Sequence, residues 1–122
     1  MQSPFKGRTG LKRILNAAGY SWDGLCTAFA GEAAFRQLVL LNAVLVPLAF
    51  FLDVSRGERA VLVAVCLLAL IVELLNSAVE AAIDRISLER HPLSKNAKDM
   101  GSAAQSVVLA MIALVWGIVL LG

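Results

Sequence analysis

The sequence predicts an all-α membrane protein: three transmembrane helices preceded by an amphipathic surface helix. Three observations carry this. Hydrophobic residues make up 59% of the 122 residues and charged residues only 16%, against about 25% charged in ordinary soluble domains. The apolar residues fall into three long runs, and most of the charges lie before or between them. The segment ahead of the first run is basic and shows helical spacing of its apolar residues. A single domain over residues 1–122 is expected, with a surface helix at 10–36 and transmembrane helices at 37–52, 60–84 and 100–121.

Residues 1–9 read as a short basic tail. Leu11, Ile14, Leu15 and Ala18 then make one apolar face, with Lys12, Arg13 and Asn16 beside it. Gly19, Tyr20 and Ser21 predict a break, after which Ser21 caps a second helical piece with Asp23 in its first turn. Leu25, Phe29 and Ala33 continue an apolar stripe. Basic side chains together with Trp22, Phe29 and Phe35 suit a helix lying in the membrane interface.

The first apolar run, 37–52, is bounded by Arg36 and Asp53 and contains Pro47, which favours a local bend. It is short for a span, and a helix entering from the interface supplies the missing turn. The second run lies between Arg59 and Asp84 and is interrupted only by Glu73 and Glu80. The third begins at Gly101 and carries no charge to the end of the chain. Pro92, Ser94 and Asn96 mark the connection between the last two as a loop. Ala78, Ala81, Ala82, Ser102, Ala103 and Ala104 allow close approach of helices.

Lysine and arginine set the expected orientation. Nine lie before the first run or between the second and third, and two, Arg56 and Arg59, lie between the first and second. The N-terminus and the 85–98 loop are therefore expected on the cytoplasmic side. Trp22 and Trp116 suit interfacial anchors at the two surfaces. No cleavable signal peptide is expected, because the first apolar run follows a long basic stretch. The net charge of +2 is too small to point to nucleic acid. Cys26 and Cys66 read as small apolar side chains rather than a disulfide or metal pair.

Glu73, Asn76, Glu80 and Asp84 fall within an arc of roughly 80° on a helix, with Glu73 and Glu80 about 10 Å apart along the axis. A charge at the centre of a bilayer costs on the order of 3 kcal/mol or more, so such groups face a bundle interior or an aqueous cavity and mark function. On the expected orientation Glu80 lies near the cytoplasmic surface and Glu73 two turns deeper, at the depth of a lipid hydroxyl, which suits a general base. Taken alone, Glu73 also fits a polar residue paired with Asn76 across a helix interface, and Glu80 fits a partner for a cytoplasmic cation. There is no Gly-x-x-x-x-Gly-Lys-Ser/Thr loop, no Gly-x-Gly-x-x-Gly and no His-Arg-Asp motif, so a nucleotide would need other ligands. The cytoplasmic side offers Arg13, Lys98 and Lys12 as cations and Glu32, Glu80 and Asp99 as hard oxygen donors for a divalent ion. Lys12 and Arg13 also fit anionic lipid headgroups, and Asp99 also fits a helix cap.

Four blocks carry a resemblance: Glu-Leu-Leu-Asn-Ser-Ala-Val-Glu-Ala-Ala-Ile-Asp-Arg-Ile (73–86), Ala-Ala-Gly-Tyr-Ser-Trp (17–22), Glu-Ala-Ala-Phe-Arg-Gln (32–37) and Lys-Asp-Met-Gly-Ser-Ala-Ala (98–104). The chain resembles the prokaryotic integral-membrane diacylglycerol kinases over nearly its whole length. The resemblance implies a homotrimer that transfers the γ-phosphoryl of MgATP to diacylglycerol, giving phosphatidic acid, in the bacterial inner membrane. It implies Glu73 as catalytic base with Asn76 beside it, and Glu32 and Glu80 as ligands of Mg2+. It places Arg13, Tyr20, Glu89, Arg90, His91, Lys98 and Asp99 at the nucleotide, with Glu32 and Glu80 reaching it through the metal. It places Arg13, Ser21, Trp22, Ala34, Gln37, Glu73, Ser102 and Trp116 along the lipid path. The chain departs from the familiar pattern at Asn16, Gly31 and Glu89-Arg90-His91-Pro92. An undecaprenol kinase of the same family is the alternative within this class. A small oligomeric proton or cation channel with Glu73 in its pore is the alternative outside it.

Overall fold

A computed structural model describes residues 10–122; the basic tail, with Lys6 and Arg8, lies outside them. Every regular element among the described residues is helical. In order they are α1 (Gly10–Gly31), α2 (Ala33–Phe51), α3 (Arg56–Ile86) and α4 (Pro92–Leu121). The all-α class is borne out, and α2, α3 and α4 are each long and apolar enough to cross a membrane. The chain divides into two compact units, one ending at Glu32 and the other beginning at Ala33.

In the first unit α1 is a single helix, without the expected break at Gly19 to Ser21. The reason is the phase of its apolar residues. Leu11, Leu15, Ala18, Trp22, Leu25 and Phe29 recur at steps of four and three, so one stripe runs unbroken through the glycine. A glycine inside a helix costs only about 1 kcal/mol relative to alanine, and no proline accompanies it here. The break falls instead at Glu32, directly after Gly31. The Glu32 N–H still reaches the Ala28 carbonyl at 2.8 Å, but Glu32 itself is no longer helical.

In the second unit α3 packs against both α2 and α4. Leu62, Val65, Cys66, Ala69 and Glu73 are its buried residues. Leu62, Val65, Cys66 and Ala69 meet Leu38 and Ala49 of α2 and Val108, Ile112 and Trp116 of α4 in one core. In a bilayer such packing is held by dispersion and hydrogen bonds rather than by exclusion of water. Polar contacts bind the core at two depths. Buried Asn42 of α2 donates through Nδ2 to its own helix at Leu38 (3.0 Å) and across to the Cys66 carbonyl (3.1 Å). Trp116 donates its indole N–H to the Leu62 carbonyl at 3.3 Å. Trp116 is only 7% exposed, so the expected interfacial anchor on the lipid path is a packing residue within the chain. An indole can be buried where its one N–H finds an acceptor.

The helix ends are made by short-range chemistry. Ser55 and Glu58 form a capping box at the start of α3, with Glu58 N–H on Ser55 Oγ at 3.1 Å and Ser55 N–H on Glu58 Oε1 at 3.0 Å. These bonds, the one from the Ser55 backbone first, hold the Glu58 carboxyl below its ordinary range. Arg59 closes the other side of the turn. Its guanidinium donates to the carbonyls of Ala49 (2.9 Å), Leu52 (3.0 Å) and Val54 (3.4 Å), two of them at the end of α2 or just past it, where helical donors run out. Replacing Arg59 by Met should therefore lower unfolding stability by about 2 kcal/mol, the scale of hydrogen bonds from a charged donor. Denaturation in detergent micelles measures this, and Arg59→Lys, which keeps the charge without the fork, should recover only part of the loss.

α4 starts at Pro92, well before the expected 100. Pro92 was read as a breaker, yet it stands in the first turn, where a helix has no use for its missing N–H. His91 caps this end by accepting the Leu93 N–H on Nδ1 at 3.1 Å. Asp99, an alternative cap on sequence grounds, lies inside the helix instead.

Candidate functional site where α3 meets α4

The acidic stripe lies where α3 meets α4. Glu73 is 4% exposed, the most deeply buried carboxylate among the described residues. Its Oε1 accepts the Ser77 hydroxyl at 3.4 Å, one turn along the helix. Asn76 donates through Nδ2 to Glu80 Oε1, also at 3.4 Å, while its own Oδ1 is buried without a hydrogen-bond partner. Asn76 thus bonds Glu80, the carboxylate one turn along its own helix. Further along, Asp84 Oδ1 takes Lys98 Nζ of α4 at 2.9 Å, both side chains being half-exposed.

The second feature is a cleft of about 650 Å³ between the end of α3, the 87–91 connection and the first turns of α4. Glu89, Arg90, His91, Lys98 and Asp99 all line it, so five of the residues expected at the nucleotide share one cavity. Asp84, Ser87 and Lys95 line it too; Asp84 was expected only on the acidic stripe, and Ser87 and Lys95 at no site. Ser87 holds the connection by accepting the Glu89 N–H on its hydroxyl at 3.0 Å. Lys95 pairs with Asp99 at 2.6 Å. That hydrogen bond, aided by the attraction between the charges, keeps the Lys95 ammonium above its ordinary range. His91 caps through Nδ1, which leaves Nε2 outside the cap. The two ion pairs were invisible in the sequence because each needs the start of the helix that contains Pro92.

The other expected site residues are distributed between the units. Arg13, Tyr20, Ser21 and Trp22 lie on α1, and Glu32 follows it. Arg13 and Tyr20 fall on the polar side of that helix, nearly opposite Leu11, Trp22 and Phe29 at 100° per residue. Trp22 is 67% exposed, in keeping with an interfacial residue. Ala34 and Gln37 lie in the first turns of α2 and are exposed, as is Ser102 on α4.

Among the described residues no group of three or more His, Cys, Asp or Glu side chains is close enough to hold a metal ion by itself. The donor set still suits Mg2+. Magnesium takes hard oxygens and retains several waters, so it is held through one or two carboxylates plus substrate phosphates rather than in an all-protein cage. Glu80 offers such a carboxylate, steadied by Asn76 and about one turn before Ile83 and Asp84, which line the cleft.

The family model described as prokaryotic diacylglycerol kinase matches residues 19–120. The chain is 76% identical to the diacylglycerol kinase of Pseudomonas aeruginosa over 120 residues, covering 98% of each protein. It is 48% identical to that of Escherichia coli over 112 residues, 92% of each, and 46% identical to that of Haemophilus influenzae over 109 residues, 89% of this chain and 92% of the relative. A match of this extent shows that the protein is a kinase and belongs to the prokaryotic diacylglycerol kinase family.

Proposed function

We propose that this kinase transfers the γ-phosphoryl group of ATP to the free hydroxyl of diacylglycerol, giving phosphatidic acid and ADP, in the inner membrane of a bacterium. The observation that carries the reading is Glu73: a carboxylate buried in an apolar helix at 4% exposure, two turns from Glu80 and on the helix that walls the cleft. The relatives' names supply the lipid. Positive-inside counting puts the cleft and the N-terminus in the cytoplasm, where ATP is available.

Phosphoryl transfer asks little covalent chemistry of a protein and much positioning. The lipid oxygen forms a bond to the γ-phosphorus as the bond from that phosphorus to the β,γ-bridging oxygen breaks. The hydroxyl proton passes to the Glu73 carboxylate, and ADP leaves with the electron pair. Ser77 steadies Glu73 by its hydroxyl. Lys98 neutralises phosphate charge, and Glu89, Arg90, His91 and Asp99 hold the nucleotide in the cleft; on the family's pattern Arg13 and Tyr20 would also contact the nucleotide. Ser21, Trp22, Ala34, Gln37 and Ser102 border the lipid. Glu32 and Glu80 would hold Mg2+, which when bound offsets charge on the phosphates. The family resemblance implies that the chain acts as a homotrimer, in which residues of neighbouring copies would complete each site.

Radiolabelled ATP supplied to the detergent-solubilised protein with each lipid in turn tests the reading. Label is expected in phosphatidic acid. Label in polyprenyl phosphate with undecaprenol, and none with diacylglycerol, would make the chain a polyprenol kinase; label in neither lipid would overturn the proposal.

A further inference from the structure

We infer that Gly101 is a positioning residue for the Glu80 carboxylate, acting through Asn76; this rests on the assignment of Glu80 to the metal. Gly101 lies in the interior of α4 with an ordinary helical backbone, since a positive φ among the described glycines occurs only at Gly10. A glycine in mid-helix costs about 1 kcal/mol relative to alanine, and no unusual backbone conformation calls for it here. Space does. A methyl group on Gly101 would overlap Asn76 Oδ1 of α3 and come within 3.1 Å of Asn76 Cγ. Among the described glycines it is the one position where a side chain would strike a different helix; at the others nothing lies within reach, apart from Gly122 against its own Ile118 carbonyl.

The geometry gives the contact a purpose. Asn76 Oδ1 is buried and takes no hydrogen bond, so no donor fixes that end of the amide. Its neighbour is the glycine Cα, in the manner of the weak Cα–H···O contacts found where helices approach closely. Fit against Gly101 therefore sets the amide plane, and the amide plane aims Nδ2 at Glu80 Oε1. A side chain at 101 pushes the amide aside, and Nδ2 leaves the carboxylate. The displaced atoms are the free end of an Asn side chain, so the helices need not separate. Gly101→Ala should fold while its metal ligand loses its partner. Groups that orient a ligating carboxylate from outside the coordination sphere typically matter 10- to 100-fold in metal affinity.

The test is Mn2+ binding in the presence of a non-hydrolysable ATP analogue, read by electron paramagnetic resonance, alongside the Mg2+ dependence of turnover. Gly101→Ala should weaken Mn2+ binding about tenfold and raise the Mg2+ needed for half-maximal rate by a similar factor, with less change in the rate at saturating Mg2+. Asn76→Ala should weaken Mn2+ binding as well. In the Asn76→Ala background the added methyl has no amide to displace, so Gly101→Ala should then add nothing. Wild-type affinity in Gly101→Ala, or losses that multiply in the double variant, would overturn the inference. Should Gly101→Ala fail to fold alone, the double variant carries the decision: affinity equal to that of Asn76→Ala supports the contact, and a further loss refutes it. Unchanged Mn2+ binding in Glu80→Gln would instead remove the metal assignment and the inference with it, whereas turnover of the wild type on diacylglycerol reports on the lipid reading separately.

Discussion

Glu73→Gln should reduce turnover at least a hundredfold while leaving folding and ATP affinity nearly unchanged. The substitution removes one ability, that of taking up a proton, and keeps shape and volume. A glutamine carbonyl oxygen can still accept the Ser77 hydroxyl that Glu73 Oε1 accepts at 3.4 Å. Positioned general bases contribute typically 10²- to 10⁴-fold, which sets the scale of the loss. Stability should hold or rise slightly, because a neutral amide at 4% exposure is less costly to bury than a carboxylate. Steady-state rates with radiolabelled ATP, paired with thermal unfolding and binding of a non-hydrolysable ATP analogue, check all three expectations. A variant that loses assembly instead would make Glu73 a structural group. A variant that keeps a tenth or more of the wild-type rate would place the base elsewhere.

The order and apolar character of the helices were legible because both are local properties. Long apolar runs name three of them, and the steps of four and three from Leu11 to Phe29 name α1. The ends were harder. Gly19 drew a break that the continuous stripe overrides, whereas Gly31 lies where the helix does end, so a glycine is read correctly only with the phase of its neighbours. Pro92 looked like a stop and is a start, because a missing N–H harms a helix only after its first turn. The acidic stripe was legible for the same reason as the spans: carboxylates in an apolar run stand out at any register. What the sequence could not supply is pairing across helices. Trp116 reads as an anchor until the Leu62 carbonyl is seen under its indole. Asn42, Arg59 and Gly101 have no local signature at all, since each matters through an atom on another element.

Lys98→Met should lower kcat/KM for ATP about 10- to 100-fold, the range set by losing one charge-assisted hydrogen bond worth about 1.5–3 kcal/mol. Lys98 lines the cleft and is held at 2.9 Å by Asp84, so two roles compete: a phosphate ligand waiting on a carboxylate, or one half of a clasp between α3 and α4. Asp84→Asn separates them, because it keeps the side chain's size and removes the charge that competes with phosphate. A half-exposed ion pair is worth at most about 1 kcal/mol, so the clasp alone cannot account for a hundredfold effect. If Lys98 serves the nucleotide, Asp84→Asn frees it, and the KM for ATP should fall or stay within about threefold of wild type. If the pair is only a clasp, both substitutions should lose the same amount, and the double variant should lose no more than either. The expected result is opposite behaviour of the two single variants, with the double variant as impaired as Lys98→Met. Equal losses in all three would assign Lys98 to the helix interface and leave the phosphates to Arg13.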